Sequence, residues 1–189
     1  MISWIKGKNK IMPRRLSLTY YFVSQESDER LKLFSAVSGD SLKTLVQQYV
    51  RGWISRNRQT YMELANYDAK RREIPLSLWA SVVAEEGVHA LPPPNKKISF
   101  NVINPLAHVM RPELSHGAVK HTLNYINLST QNLILFKIAN HYDQDSAIGF
   151  VSRIIQEHLD RNWDNLYQPQ VDFENWESWN KYDGYDGDN

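Results

Sequence analysis

The sequence predicts an α+β, mainly helical fold built from two similar strand–helix–turn–helix units joined by an irregular central insertion. Three observations carry this expectation. Sliding the chain against itself by 105 residues aligns 15–62 with 120–167 without a gap. In each copy a run rich in aromatic and β-branched residues precedes two stretches of helical periodicity. Serines stand at the helix starts in both copies, where a hydroxyl can accept from the orphan amides of a first turn.

The repeat is specific in its details. Leu18/Leu123, Tyr20/Tyr125, Ser24/Ser129, Lys32/Lys137, Asp40/Asp145, Ser41/Ser146, Val46/Val151, Arg56/Arg161 and Asn57/Asn162 are identical. Apolar character is kept at Tyr21/Ile126, Val23/Leu128, Leu31/Phe136, Leu45/Phe150, Val50/Ile155 and Ile54/Leu159.

Each element follows in chain order. Leu16 to Val23 and His121 to Leu128 alternate roughly, as strands do. Ser24 and Ser129 cap a first helix, with Leu31, Phe34 and Val37 at helical spacing in one copy and Phe136, Ala139 and Tyr142 in the other. Gly39 supplies a left-handed stop and Ser41 caps the second helix, while the second copy has Gln144 in the glycine position. The second helix buries Leu42, Leu45, Val46, Tyr49, Val50 and Ile54, matched by Ala147, Phe150, Val151, Ile154, Ile155 and Leu159. Its first copy is expected to continue past Arg56 through Tyr61, Met62 and Leu64. Pro75 opens a further helix over Leu76 to Val83. Leu91-Pro92-Pro93-Pro94-Asn95 is a stiff connector, and Ile98, Phe100 and Val102 alternate as a strand would. The expected organisation is a basic arm (1–14), a first unit (15–73), a central insertion (74–119), a second unit (120–168) and a flexible acidic-aromatic tail (169–189) containing Trp176, Trp179, Tyr182 and Tyr185.

A unit of this size with a single strand leaves a full row of amides and carbonyls unpaired. Pairing with the other copy, antiparallel and above four packed helices, is the simplest remedy. With this, the runs Leu16 to Ser24, Arg30 to Phe34, Ser38 to Ser41 and Leu45-Val46 resemble the Arc/CopG-type ribbon-helix-helix superfamily of DNA-binding proteins. The resemblance covers about half of the chain and implies an intramolecular pseudo-dimer of two ribbon-helix-helix units. It implies a transcriptional regulator, such as a repressor, or a DNA-transaction accessory protein, whose two-stranded ribbon enters the major groove.

Two registers are open for the groove-facing side chains. One presents Leu18, Tyr20, Phe22, Leu123, Tyr125 and Asn127; the other presents Ser17, Thr19, Tyr21, Thr122, Asn124 and Ile126. Alignment on the cap serines favours the first and polarity the second, and the polar set is preferred, with Tyr20 and Tyr125 then in the core. Neither set holds an arginine, lysine or glutamine to read bases. Phosphate contacts are expected from the starts of the second helices at Ser41 and Ser146, from Lys43, and from the arm residues Lys6, Lys8, Lys10, Arg14 and Arg15.

Composition agrees with a polyanion partner. The net charge of +1 hides 14 Lys/Arg against 7 Asp/Glu in residues 1–73. Residues 171–189 are acidic, with Lys181 against six carboxylates. A protein partner is expected at that tail, and higher-order self-association on DNA is compatible with the pattern. Cysteine is absent, which excludes disulfides, thiolate catalysis and cysteine-ligated zinc. No 18-residue apolar run exists, and Ile2 to Ile5 is too short for a signal-peptide core, so a cytoplasmic location is the simplest expectation. His108, His116 and His121 lack metal-site spacing, and neither a phosphate loop nor a nucleophile elbow is present; no enzyme activity, metal or cofactor is expected. The alternative reading is an antitoxin-like or adaptor module acting through the acidic tail, or a scaffold without DNA binding.

Overall fold

A computed structural model describes residues 14–114 except 96–103, 116–143 and 145–183, with side chains from 15 to 175. The arm residues Lys6, Lys8 and Lys10, the segment with Ile98, Phe100 and Val102, Gln144 and the tail aromatics' side chains lie outside this description. The fold is α+β and mainly helical, with two small antiparallel sheets.

Four short strands carry the repeat: β1 (Arg14–Ser17), β2 (Tyr20–Val23), β3 (Val119–Thr122) and β4 (Tyr125–Leu128). β1 pairs antiparallel with β4, Ser17 opposite Tyr125, and β2 with β3, Tyr20 opposite Thr122. One register runs through both sheets. Between them the amide of Leu18 donates to Asn124 O at 3.1 Å and that of Leu123 to Thr19 O at 3.1 Å. Residues 14–23 and 119–128 are thus paired about a local two-fold between Leu18 and Thr19, and the 105-residue offset maps one strand run onto the other.

The sheets are separate because the inward face changes parity at their junction. Leu18 and Leu123 are buried, as are Tyr21, Val23, Ile126 and Leu128, while Thr19 and Asn124 are exposed. A strict period of two cannot bury both 18 and 21. Asn124 absorbs part of the shift at φ 71, with the Tyr125 amide donating back to Leu123 O at 3.0 Å. Asparagine is among the few residues that enter the left-handed region readily.

The helices repeat with the same offset. α1 (Gln25–Ser38) corresponds to α5 (Thr130–Asp143), and α2 (Leu42–Arg56) to α6 (Ala147–Asn162). All four expected caps are made. Ser24 accepts from Ser27 N at 3.2 Å, Ser41 from Thr44 N at 3.2 Å, Ser129 from Asn132 N at 3.2 Å and Ser146 from Gly149 N at 2.9 Å. Gly39 closes α1 at φ 72 and donates to Ser35 O. The expected inward side chains of α2 and α6 form the core centre except Leu42 and Ala147, which are partly buried at its edge, and Trp53 and Phe136 each meet Phe150 edge-on at 5.3 Å. Packing such aromatic and aliphatic surface against the strands supplies the main stabilisation of so small a sheet.

Polar contacts tie the two halves together. Ser152 Oγ accepts from the amide of Phe22 at 2.9 Å, and Gln156 Oε1 accepts from Ser27 Oγ at 2.8 Å. Asp28, buried in α1, bonds His121 of β3 at 2.7 Å and Lys32 at 2.7 Å. Burial alone would raise the Asp28 carboxyl, but these two partners outweigh it and hold it below its ordinary range.

The second helix does not run on as expected. It pauses for one residue: α2 ends at Arg56, Asn57 turns at φ −98 and ψ 8 while its amide and its side chain donate to Trp53 O at 3.1 and 2.9 Å, and α3 (Arg58–Arg71) follows. α4 (Leu76–Glu85) starts after Pro75 as expected. A buried carboxylate joins these helices to the rest. Asp68 accepts from Arg71 at 2.5 Å, Arg72 at 2.8 Å, Trp79 Nε1 at 2.9 Å and the Tyr142 hydroxyl of α5 at 3.2 Å.

The acidic tail is also corrected. A π-helical turn, Trp163–Tyr167, leads into α7 (Gln168–Asp183), so residues 169–183 are helical rather than a flexible extension. Its first turns are anchored: Tyr167 and Val171 are buried, and the Tyr167 ring lies 4.1 Å from that of Phe34.

Candidate nucleic-acid interface

The side chains on the outer face of the paired strands form a basic constellation that the repeat organises. Each strand contributes a cation near one end and a tyrosine beside the centre. Arg15 lies 4.7 Å from the ring centroid of Tyr125, and Lys120 Nζ lies 4.0 Å from that of Tyr20. The 105-residue offset takes Arg15 to Lys120 and Tyr20 to Tyr125, so the same cross-strand pair is built twice. A third cation, Lys43 at the start of α2, lies 3.9 Å above Tyr125. An ammonium or guanidinium over a ring face is held electrostatically by the ring quadrupole, which keeps the three charges close to the strand surface.

Polar groups lie between these pairs. Ser17, Thr19, Thr122 and Asn124 are exposed, and Asn127 is half-buried. Arg51 of α2 donates to Asn127 O at 2.9 and 3.1 Å, fixing that end of β4 to the helix. Tyr20 and Phe22 are half-buried and meet edge-on at 5.5 Å.

Neither expected register describes this face by itself. The polar set holds at Ser17, Thr19, Thr122 and Asn124. Beyond the junction the alternative set takes over at Tyr20, Phe22, Tyr125 and Asn127. Tyr21 is corrected: it is 1% exposed, stacked on His121 at 5.2 Å, and belongs to the core with Ile126. Tyr20 and Tyr125, expected in the core, are the ring faces beneath the cations. The residue pairs 19/20 and 124/125 both avoid the core, and a period-two reading of the sequence has no place for that.

The phosphate candidates separate as well. Ser41 is exposed, with Lys43 two residues further on, at a helix start whose first amides have no intrahelical acceptor. At the equivalent start of α6, Asp145 Oδ1 accepts from the Ser146 amide at 2.7 Å, so a carboxylate already occupies the ground expected of Ser146. Arg14 opens β1, opposite Leu128. Sequence reasoning missed Lys120, and with it the joining of Lys43, Tyr20, Tyr125 and Asn127, each named as a candidate, into one surface. The signal was present in the repeat, because Arg15 and Lys120 are equivalent positions.

Other features offer less chemistry. A cleft of about 560 Å³ is lined by His108, Arg111, Glu157, Asp160 and Arg161 among others. Its carboxylates and guanidinium groups balance, and Glu157 is paired with Arg56 and Arg161. Among the described residues no group of three or more His, Asp or Glu could hold a metal ion. No helix of the described residues is long and apolar enough to cross a membrane. Comparison with protein-family models, with curated proteins and with solved structures finds no match for this chain.

Proposed function

We propose that the chain is an intramolecular pseudo-dimer of ribbon-helix-helix halves and binds double-stranded DNA through the outer face of its paired strands. The observation that carries the reading is the twice-built cation–tyrosine pair on an exposed two-stranded surface with a local two-fold axis. A two-stranded antiparallel ribbon fits the major groove of a duplex. Ser17, Thr19, Thr122, Asn124 and Asn127 provide donors and acceptors for base edges. Arg15, Lys120 and Lys43 provide charge for phosphates, assisted by the excess of Lys/Arg in residues 1–73 and by the open start of α2 at Ser41. A regulator of transcription or an accessory protein of a DNA transaction is the function that such a surface serves.

The test is equilibrium binding of the full chain to a labelled mixed-sequence duplex, followed by fluorescence anisotropy at several salt concentrations. Affinity is expected to fall linearly on a log–log plot, with a slope of about −0.9 per phosphate contact. Lys120→Gln and Arg15→Gln each flatten that slope by about 0.9 and weaken binding to all duplexes alike. Absence of binding at low salt, or binding that ignores salt, would refute the reading.

A further inference from the structure

The local two-fold relates backbones, but the chemistry on either side of it differs. Across the axis Phe22 is matched by Asn127, Ser17 by Thr122, Thr19 by Asn124 and Lys43 by Ile148. The flanks diverge most. At the start of α6 the Asp145 side chain is 2% exposed and lies against Arg153 at 3.5 Å and Arg111 at 3.4 Å. A Cβ at residue 149 would stand only 2.5 to 2.9 Å from the Asp145 carboxyl atoms, so glycine makes room for the carboxylate over the first turn. The first copy has Thr44 and Gln48 at the positions of Gly149 and Arg153. The Asp40 carboxylate there accepts a long bond from Gln48, 3.4 Å, and Lys43 adds a cation.

Several coordinated differences therefore cover the first turn of α6 with a buried, paired carboxylate and leave that of α2 without one, with Lys43 beside it. Resting on the DNA-binding reading, we infer that this chain recognises a non-palindromic duplex site and binds it in one orientation, with Asp145 as the residue that excludes phosphate from the α6 side. The two ends of the paired strands reinforce this. One presents the edge-on pair Tyr20 and Phe22 beside Lys120; the other presents Asn127, an amide that can bond a base edge, beside Arg15. A palindrome offers both ends the same bases, and these two ends do not ask for the same ones.

The test has two arms on the full chain. Duplexes retained from a random pool are sequenced, and the recovered site is then probed with an iron chelate tethered to Ser38→Cys. The chain has no cysteine, so this label is unique. The expected result is a consensus without two-fold symmetry, with strand cleavage confined to one side of it. Rebuilding the site as a palindrome of either half should lower affinity about tenfold or more. A palindromic consensus, or equal cleavage on both sides, would overturn the inference while leaving DNA binding intact. A pool from which no duplex is retained would instead remove the DNA-binding reading, and this inference with it.

Discussion

Adjacent tyrosines at 20 and 21 separate the two faces of the paired strands, and their truncation should give opposite results. Tyr21 is 1% exposed, stacks on His121 at 5.2 Å and lies in the apolar core. Burial pushes its phenol up, and nearby Asp28 raises it further. Removing a buried aromatic side chain forfeits its transfer energy and leaves a cavity, a loss of about 3–5 kcal/mol. His121 would lose its stacking partner as well. Tyr20 lies half-buried on the other face, beneath Lys120 and beside Phe22. Its truncation removes a cation–aromatic contact and some packing, about 1 kcal/mol. Urea denaturation of Tyr20→Ala and Tyr21→Ala, followed by circular dichroism, measures both. Tyr21→Ala should move the midpoint far more than Tyr20→Ala, and only the latter should weaken duplex binding while leaving the fold intact. Equal destabilisation by the two variants, or the reverse order, would refute the assignment of faces.

Two further outcomes concern stability. Asp68→Ala leaves Arg72 and the Trp79 N–H buried without their carboxylate, and breaking a buried pair in this way costs about 3–5 kcal/mol; thermal or urea unfolding of the variant reads the loss. His158 is held down to about 4 by burial, assisted by Arg56 and Arg161. It therefore folds neutral, so its contribution is complete above the unfolded value of about 6.5 and declines as pH falls from there towards 4, by at most about 3 kcal/mol. Stability measured from pH 7.5 to 4 should show this decline in the parent and a shallower one in His158→Phe.

Much of the architecture was legible because it is local. The serine caps, Gly39 and the inward faces of α2 and α6 follow from short-range rules, and the gapless repeat brought the two copies together. The outward face of the strands was not legible in full. Each of the two candidate registers is right on one side of Thr19 and Asn124 and wrong on the other, because the parity of burial changes there. Asn124, a residue type suited to a positive φ, was the available sign. The tail misled because its acids and aromatics suggest disorder, whereas burial of Tyr167 and Val171 against the first unit starts a helix. The Asp68 hub and the Asp145 clamp join residues far apart in sequence, Tyr142 and Arg111 among them, and no spacing rule connects these.

The central claim is that the outer face of the paired strands meets duplex DNA, and a backbone amide spectrum of the ¹⁵N-labelled chain recorded with and without a short duplex tests it most directly. The account predicts shifts concentrated at Arg15, Ser17, Thr19, Tyr20, Lys120, Thr122, Asn124 and Tyr125 and at the start of α2, with α4 and α7 unmoved. Shifts centred on α7 or on the loop at Met110, with the strand residues unchanged, would contradict it.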